Sequence, residues 1–254
     1  MSILDQVITG ESFWPRRVWI YGPPGVGKST WAAQAPNPIV MQFAGEDGYG
    51  HIGCDRLPPC GMYADAIAQL EELYTGDHPY HTAIIDTLTA FEPLVVKKTL
   101  EVRTITDISK PGFGMGYVWV GDQWRCVLGA LNGLIERGMM VILVSHDKTV
   151  KSKDPRSDEH PVSAPRLMGQ GIDAISGWVD DLLFMTSTTA TKQLADGTKK
   201  IARGVGGGER KIYTSTTPTH QAKSRAPYPG MKAEIGTNWD DYAKHFTGET
   251  DNGS

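Results

Sequence analysis

The strongest chemical signal in the sequence is the run GPPGVGKST, which fits the pattern G-x-x-x-x-G-K-[S/T]. Its glycines let the backbone wrap closely around phosphates, so that successive N–H groups point inward. Lys28 would reach the β- and γ-phosphates, and the Ser29 hydroxyl would ligate Mg²⁺. The predicted nucleotide-binding residues are Gly22, Pro23, Pro24, Gly25, Val26, Gly27, Lys28, Ser29 and Thr30.

A second candidate for the site is Asp86, which ends the apolar run HTAIID. Open α/β sheets bind ligands at the carboxyl ends of their strands, so a carboxylate here predicts a Mg²⁺ ligand, acting directly or through water. The alternative is that Asp86 caps the next helix. Thr87 fits either role.

Hydrolysis also needs a group that orients the attacking water. Glu46 and Asp47 directly follow the second predicted strand, which places two carboxylates at the same edge of the sheet. We expect Glu46 to be the general base, with Asp47 as the alternative. An ordinary acidic turn also has the composition E-D-G.

The fourth predicted strand ends in a polar residue, His146. At that position a side chain would lie beside the γ-phosphate and could transmit its presence to the loop that follows. We predict this sensor role for His146. A histidine that only makes structural hydrogen bonds is the alternative.

Short apolar runs alternate with helix-like runs along most of the chain, which is typical of a parallel sheet covered by helices. The predicted strands are 17–22, 38–45, 81–87 and 139–146, with one helix beginning near Lys28 and another over 120–135 that Gly138 ends. Beyond residue 178 the sequence predicts antiparallel strands, with a hairpin turn at Asp196-Gly197.

The expected organisation is a single α/β domain over residues 1–247. Its core covers about 17–187 and its C-terminal β extension about 188–247, and residues 248–254 form a disordered tail. Long Gly- and Pro-rich connections at 45–60, 103–118 and 147–165 are typical of functional loops.

The bulk composition sets few limits on function. The chain has 254 residues, 40% of them hydrophobic, and a formal charge of −4, so any contact with nucleic acid must come from local patches. The spacing of Cys54, Cys60 and Cys126 predicts unpaired thiols rather than a zinc site. Without a targeting or membrane-spanning run, the expected location is the cytoplasm, that of the host cell if a phage encodes the chain.

A late basic pair, Lys223 and Arg225, lies in HQAKSRAPYPG, far along the chain from the phosphate-binding loop. Composition alone favours a solvated surface strip. With Lys28 already in the loop, the pair has no evident anion within its own chain.

Taken in order, these motifs resemble the RecA-like P-loop ATPase core. The set GPPGVGKST, AGED, IIDT, VSHDK, SAPRL, VDDLLFM and KSR is most similar to RadA/Sms and, at this size, to phage RecA-core single-strand annealing proteins of the Sak type. The resemblance covers about residues 17–236. It departs from RadA after Arg225, where Ala226-Pro227 replaces the family's N-R-F-G context.

The resemblance implies a sheet in which the fourth strand lies between the P-loop strand and the Asp86 strand. It implies an ATPase that uses ATP and Mg²⁺, with ATP bound between protomers of a homo-oligomer. Lys223 and Arg225 would then act on the neighbouring protomer's nucleotide as a trans finger. Loops 103–118 and 147–165 would face single-stranded DNA, with a single-strand DNA-binding protein as a possible partner.

The residues of these loops give mixed support. Phe113, Tyr117 and Trp119 have side chains that stack on bases, although aromatic residues beside a glycine-rich loop also serve as anchors. With Arg166 counted, the loop 147–165 has only one more basic than acidic residue, which also fits a solvated surface loop.

These features predict an oligomeric, DNA-linked ATPase of phage-type recombination, active in annealing or strand exchange. A nucleotide-gated replication accessory or helicase loader is the alternative. A small-molecule kinase is a third hypothesis, but the balanced charge of 147–165 does not resemble an arginine-rich lid.

Overall fold

The computed structural model describes residues 16–45, 48–152, 158–187, 190–196, 199–205, 208–225 and 232–247. Its strands are β1 (Arg17–Gly22), β2 (Pro38–Gln42), β3 (Asp55–Arg56), β4 (Thr82–Asp86), β5 (Met140–Lys151), β6 (Pro161–Pro165), β7 (Asp181–Ser187), β8 (Ala190–Asp196), β9 (Lys199–Val205), β10 (Arg210–Tyr213), β11 (Lys223–Ser224) and β12 (Glu234–Ile235). Its helices are α1 (Lys28–Ala32), α2 (Tyr63–Thr75), α3 (Leu88–Arg103), α4 (Met115–Glu136), α5 (Gly169–Trp178) and α6 (Trp239–Thr247).

The main sheet runs in the order β12-β10-β7-β1-β5-β4-β2-β3. From β7 to β3 neighbouring strands are parallel, whereas β10, β11 and β12 add to the sheet in antiparallel orientation. The predicted α/β class with an antiparallel C-terminal part is therefore confirmed. So is the expected position of the fourth parallel strand, because β5 lies between β1 and β4.

Side chains of the central strands alternate between two buried layers. In β1, Trp19 and Tyr21 pack into one apolar cluster, and Val18 and Ile20 into the cluster on the opposite face. Strands covered on both faces need no polar side, so their sequences are nearly continuous apolar runs. All parallel strands of such a sheet end at one edge, and β1, β4 and β5 bring Gly22, Asp86 and His146 there.

The predicted long helix is α4, which begins five residues before the predicted range. Gly138 adopts φ +91° just after it, where the left-handed conformation favours glycine. The helix buries one apolar stripe against the sheet and so fixes β5, the strand that follows it.

The connection at 147–165 corrects a prediction. Instead of a loop, β5 continues to Lys151 and pairs antiparallel with β6, with Asp147 opposite Pro165 and Lys151 opposite Pro161. This β5–β6 hairpin extends past the ends of β1 and β4, so it lacks the buried apolar run by which the central strands are recognised. Residues 153–157, within this connection, lie outside the described part of the chain.

The other connections are shorter than predicted. Between α3 and α4 only 104–114 is irregular, and it contains a 3-10 turn at Gly112–Gly114. The segment 45–60 contains a 3-10 turn at Gly48–His51 and the short strand β3.

The C-terminal strands form two groups. β8 and β9 pair as a separate two-stranded sheet in which Asp196 is opposite Lys199, as expected for the predicted hairpin, although Gly197 itself is not among the described residues. β11 pairs with β7, so it belongs to the main sheet rather than to a remote extension. The predicted tail 248–254 lies outside the described residues. In the part of the chain that the structure describes, no helix is long and apolar enough to cross a membrane.

Tyr21, the residue before the glycine-rich loop, joins three segments through its hydroxyl group. The hydroxyl lies 3.0 Å from the Ser163 carbonyl oxygen of β6 and 2.5 Å from the Gln221 carbonyl oxygen. It also accepts a hydrogen bond from the Gln221 backbone N–H at 3.1 Å. The end of β1, the β5–β6 hairpin and the segment before β11 therefore meet at one side chain.

Asp181, at the start of β7, is fully buried and fixes the C-terminal helix. Its carboxylate accepts hydrogen bonds from Arg16 at 2.6 Å, from the Tyr242 hydroxyl at 2.5 Å and from the Ser224 hydroxyl at 2.5 Å. The neighbouring pair Arg17–Asp180 is partly exposed.

We expect Asp181→Ala to lower the free energy of unfolding by about 3–5 kcal/mol, because it removes the fully buried carboxylate that pairs with the largely buried Arg16 guanidinium. Asp180→Ala removes the more exposed carboxylate and should cost about 1 kcal/mol or less. Urea unfolding of both variants measures the difference. Equal losses in the two variants would contradict the role of Asp181.

Candidate functional site

A cavity of about 280 Å³ opens at the carboxyl edge of the sheet, beside the end of β1. Seven of the predicted site residues line it, together with Thr87 and three residues that the motifs did not indicate. The lining residues are Gly25, Gly27, Lys28, Ser29, Thr30, Gln42, Tyr49, Ile52, Asp86, Thr87 and His146. The sheet topology thus brings the P-loop, Asp86 and His146 into one space.

Two glycines of the loop show why it needs that residue type. A Cβ atom on Gly22 would stand 2.0 Å from the Met185 carbonyl oxygen of β7, so no larger residue fits there. Gly27 has φ +107°, a conformation that L side chains rarely adopt. The loop therefore turns tightly from β1 into α1.

Lys28 begins α1 and lies within the turn of the loop. Only 5% of its surface is exposed, and its ammonium group donates hydrogen bonds to the carbonyl oxygens of Gly22 at 2.8 Å and Pro23 at 2.9 Å. The positive charge is therefore held at the mouth of the cavity, where phosphate oxygens can accept from it.

Ser29 and Asp86 meet across the cavity. The Ser29 hydroxyl donates a hydrogen bond of 2.6 Å to Asp86 Oδ2, and the carboxylate is 4% exposed. A serine hydroxyl and a carboxylate are oxygen ligands of the kind that Mg²⁺ takes together with substrate phosphates. The pair fits the predicted metal-binding role.

Thr87, and not Asp86, caps the helix that follows β4. The Thr87 side chain is the N-cap of α3 and accepts a hydrogen bond from the Ala90 backbone N–H at 3.1 Å. Asp86 ends β4 and points its carboxylate toward Ser29 instead.

Two further side chains complete the wall near Asp86. Tyr49 is buried beside Asp86 and Ser29, and burial together with the Asp86 carboxylate raises the pKa of its phenol, which stays neutral. Gln42 is the last residue of β2 and stands in register with Asp86 of β4. The strand-end pattern could have indicated Gln42, whereas nothing local marks Tyr49.

His146 borders the same cavity and begins the extended part of β5. Its backbone N–H donates to the Thr89 hydroxyl of α3 at 3.1 Å, and its carbonyl oxygen accepts from the Arg166 backbone N–H at 2.8 Å. It thus connects the nucleotide cavity to the base of the β5–β6 hairpin. Its sensor role stays a prediction.

Glu46 and Asp47, the predicted general base and its alternative, are not among the described residues. The described residues on either side of them place Gly45 after β2 and Tyr49 inside the cavity wall. The assignment of the base stays a prediction.

Lys223 and Arg225 have local hydrogen-bond acceptors that the sequence did not indicate. The Lys223 ammonium donates to the Ser176 carbonyl oxygen, and the Arg225 guanidinium donates to that of Gly177 at 2.8 Å. Both carbonyl groups belong to the last turn of α5, where cations are favourable. Burial, and secondarily Arg225, lowers the pKa of Lys223.

The pair lies at the opposite edge of the sheet from its own P-loop. Lys223 is in register with Leu182 and Ser224 with Asp181, which in turn is opposite Val18 near the start of β1. Gly22 lies four residues further along β1 than Val18, a distance of about 13 Å. The structure therefore does not bring Lys223 and Arg225 to the nucleotide cavity of their own chain.

One cation that the sequence did not indicate does reach the loop. The Arg210 guanidinium of β10 lies 3.1 Å from the position that a Cβ atom on Gly27 would occupy. Arg210 is about 180 residues away from the P-loop along the chain, and no local motif marks it.

A glycine-rich loop between a buried parallel strand and a helix, with Lys28 in its turn and a Ser29–Asp86 pair beside it, defines the core of a P-loop nucleoside triphosphatase. The chain belongs to the AAA_24 family, because the model of this family, an AAA domain, matches residues 15–226. No curated protein matches the chain.

Proposed function

We propose that the protein is an oligomeric, Mg²⁺-dependent ATPase that acts with single-stranded DNA in phage-type homologous recombination, by annealing or strand exchange. The observation that carries this proposal is the continuity of β5, which runs from the nucleotide cavity at His146 directly into the β5–β6 hairpin. A γ-phosphate that moves His146 would move this hairpin. The resemblance of the ordered motifs to RadA and Sak-type proteins supports the recombination role.

In this proposal the residues of the cavity have separate roles in binding and hydrolysing ATP. Ser29 and Asp86 hold the Mg²⁺ ion, which neutralises charge on the β- and γ-phosphates when bound. Lys28 binds the same phosphates, and Glu46, or Asp47 in its place, orients the attacking water. Tyr49 stays protonated and excludes solvent from the Asp86 carboxylate.

The connection between α3 and α4, with the first turn of α4, supplies the aromatic contacts to DNA. The Phe113 side chain is fully exposed, and Tyr117 is 36% exposed, so both rings can stack on bases. The Trp119 ring has the Arg103 guanidinium 5.0 Å from its centroid, which favours an anchoring role for it. Of the three predicted aromatic contacts, the proposal therefore retains Phe113 and Tyr117.

The β5–β6 hairpin supplies the second contact. Lys151 is well exposed and pairs with Glu159 at 2.7 Å, so a DNA phosphate would have to replace this carboxylate. Lys148 is held by the Leu167 carbonyl oxygen at 2.5 Å. We infer a weak, salt-sensitive contact with the DNA backbone here.

Lys223 and Arg225 act in trans in this proposal. Their position away from their own cavity supports a role toward a neighbouring protomer, and the last turn of α5 holds them in place. An arginine on a transition-state phosphate contributes roughly 10³–10⁵ in rate in other enzymes of this kind. Assembly would then be required for turnover.

A second candidate is a nucleotide-gated accessory, such as a helicase loader, that binds another protein. The observation in its favour is the exposure of Met115 at 40% and Val118 at 41% beside Phe113. Such aliphatic side chains suit a protein partner better than nucleic acid.

The test is ATP hydrolysis with and without single-stranded DNA over a range of protein concentrations. We expect turnover per protomer to rise both with protein concentration and with added DNA. A rate that neither variable changes would contradict the recombination role. Slow turnover that a protein partner alone accelerates would favour the loader, and ATP loss that a metabolite or nucleoside accelerates would indicate a kinase.

A further inference from the structure

The added strand β10 brings Arg210 against the P-loop, from the side opposite Asp86. Arg210 and Ile212 alternate with Lys211 along β10, so they share one face of the sheet. Ile212 is fully buried on that face in the apolar cluster that contains Val26 and Trp31. The Arg210 side chain therefore extends on the α1 side of the sheet.

The contact with Gly27 shows where the guanidinium ends. Arg210 Nη1 lies 3.1 Å, and the Met185 methyl group 3.4 Å, from the point where a Cβ atom on Gly27 would stand. The nearby carboxylates of Glu209 and Glu234 pair with Lys211, at 3.9 Å and 2.9 Å. The arginine is thus placed against the loop by strand pairing, with Arg210 opposite Ser187 of β7.

The order of the sheet indicates which part of the nucleotide lies near Arg210. The Asp86 strand, β4, lies on one side of β1, and β7 and β10 lie on the other. A Mg²⁺ ion held by Ser29 and Asp86 would neutralise charge on the terminal phosphates, so the γ-phosphate belongs on the Asp86 side. The α-phosphate and the nucleoside then extend toward Arg210.

There is open space on that side. Arg210 and Lys211 line an open cavity of about 400 Å³ between β10, β12 and α6. The group attached to the α-phosphate therefore meets a cavity rather than packed core.

We propose that Arg210 is a nucleotide-binding residue that acts within its own chain, contacting the α-phosphate end of ATP and ADP, and that the ribose and base lie toward the cavity behind it. This inference rests on the proposed function, since it takes its orientation from Mg²⁺ at Ser29 and Asp86. It assigns Arg210 to binding and not to the chemical step, because both nucleotides carry the group that it contacts.

The test is isothermal titration calorimetry of Arg210→Met with MgATP, MgADP and magnesium pyrophosphate. We expect the Kd for ATP and that for ADP to rise by a similar factor, about 10- to 100-fold, because a charge-assisted hydrogen bond is lost. Pyrophosphate, which has no α-phosphate or nucleoside, should bind as it does to the wild type. Arg125→Met removes an exposed arginine of α4 that lines neither cavity, and it should leave all three Kd values unchanged.

Three results would overturn the inference. If Arg210→Met binds ATP and ADP like the wild type, the guanidinium only packs against the loop. If ATP binding weakens while ADP binding does not, Arg210 contacts the γ-phosphate. If the Kd for pyrophosphate rises by the same factor, the substitution has disturbed the loop itself.

Two further variants keep the test decisive. Should Arg210→Met not fold, judged by thermal unfolding, Arg210→Gln serves in its place, with the same expected loss. Lys28→Ala separates this inference from the proposed function. If Lys28→Ala loses ATP binding but Arg210→Met does not, the proposed ATPase stands and the inference about Arg210 is wrong. If the wild type itself does not bind ATP, both are wrong.

Discussion

Replacing Lys28 with alanine is expected to weaken ATP binding by at least about 10- to 100-fold and to bring ATP turnover below detection. The ammonium group is held at the mouth of the cavity by the Gly22 and Pro23 carbonyl oxygens, so it can donate to phosphate oxygens with little rearrangement. Hydrogen bonds to charged groups contribute about 1.5–3 kcal/mol each, and this lysine makes more than one. Titration calorimetry with MgATP and a phosphate-release assay measure the two effects.

Because Lys28 also ties the loop together, its variant needs a folding control. We expect the thermal unfolding midpoint of Lys28→Ala to stay within a few degrees of the wild type, since the core packs around other residues. Lys98→Ala removes an exposed lysine of α3 that pairs weakly with Glu101 and should change neither binding nor turnover. ATP binding and turnover at wild-type levels in Lys28→Ala would contradict the assignment of the cavity.

Replacing Arg225 with alanine is expected to reduce turnover of the assembled protein by roughly 10³–10⁵, while ATP binding to isolated protomers stays unchanged. The physical reason is its distance from its own P-loop, at the opposite edge of the sheet, because the proposal then places Arg225 on a neighbour's nucleotide. Single-turnover hydrolysis at protein concentrations below and above the assembly threshold measures the effect. Below that threshold the variant and the wild type should be equally slow.

The local role of Arg225 predicts a smaller, separate effect. Loss of its hydrogen bond to the Gly177 carbonyl oxygen should lower the free energy of unfolding by about 0.5–1.5 kcal/mol. Arg137→Ala is the matched control, because Arg137 follows another helix and donates to the Tyr74 carbonyl oxygen at 2.5 Å. If both variants lose stability but neither loses turnover in the assembled state, Arg225 has only the structural role.

The parts of the site that the sequence predicts are those with a strong local pattern. The glycine spacing of the P-loop follows from the backbone conformation that phosphates require, and Gly22 and Gly27 have the close approach and the positive φ that demand glycine. Asp86 and His146 follow from the ends of apolar strands, because parallel strands place those ends at one edge. The same rule, applied to β2, points to Gln42.

The contacts that the sequence did not predict join residues that are far apart along the chain. Arg210 reaches Gly27 only because β10 pairs with β7, and Tyr49 enters the cavity through a short 3-10 turn. Lys223 and Arg225 bind backbone carbonyl oxygens of α5, and such acceptors have no sequence signature. The sequence does not predict the β5–β6 hairpin, because its charged residues are also typical of a solvated loop.

The Tyr21 hydroxyl group connects segments that are far apart along the chain. A hydroxyl group carries one proton, yet the carbonyl oxygens of Ser163 and Gln221 both lie within its reach. The proton can therefore be given to the hairpin or to the segment before β11, but not to both at once. Tyr21 adjoins the glycine-rich loop on one side of this junction, and the chain continues from Gln221 to Lys223 on the other. The Tyr21 hydroxyl thus links the glycine-rich loop, the β5–β6 hairpin and the segment that carries the basic pair, which lie far apart along the chain.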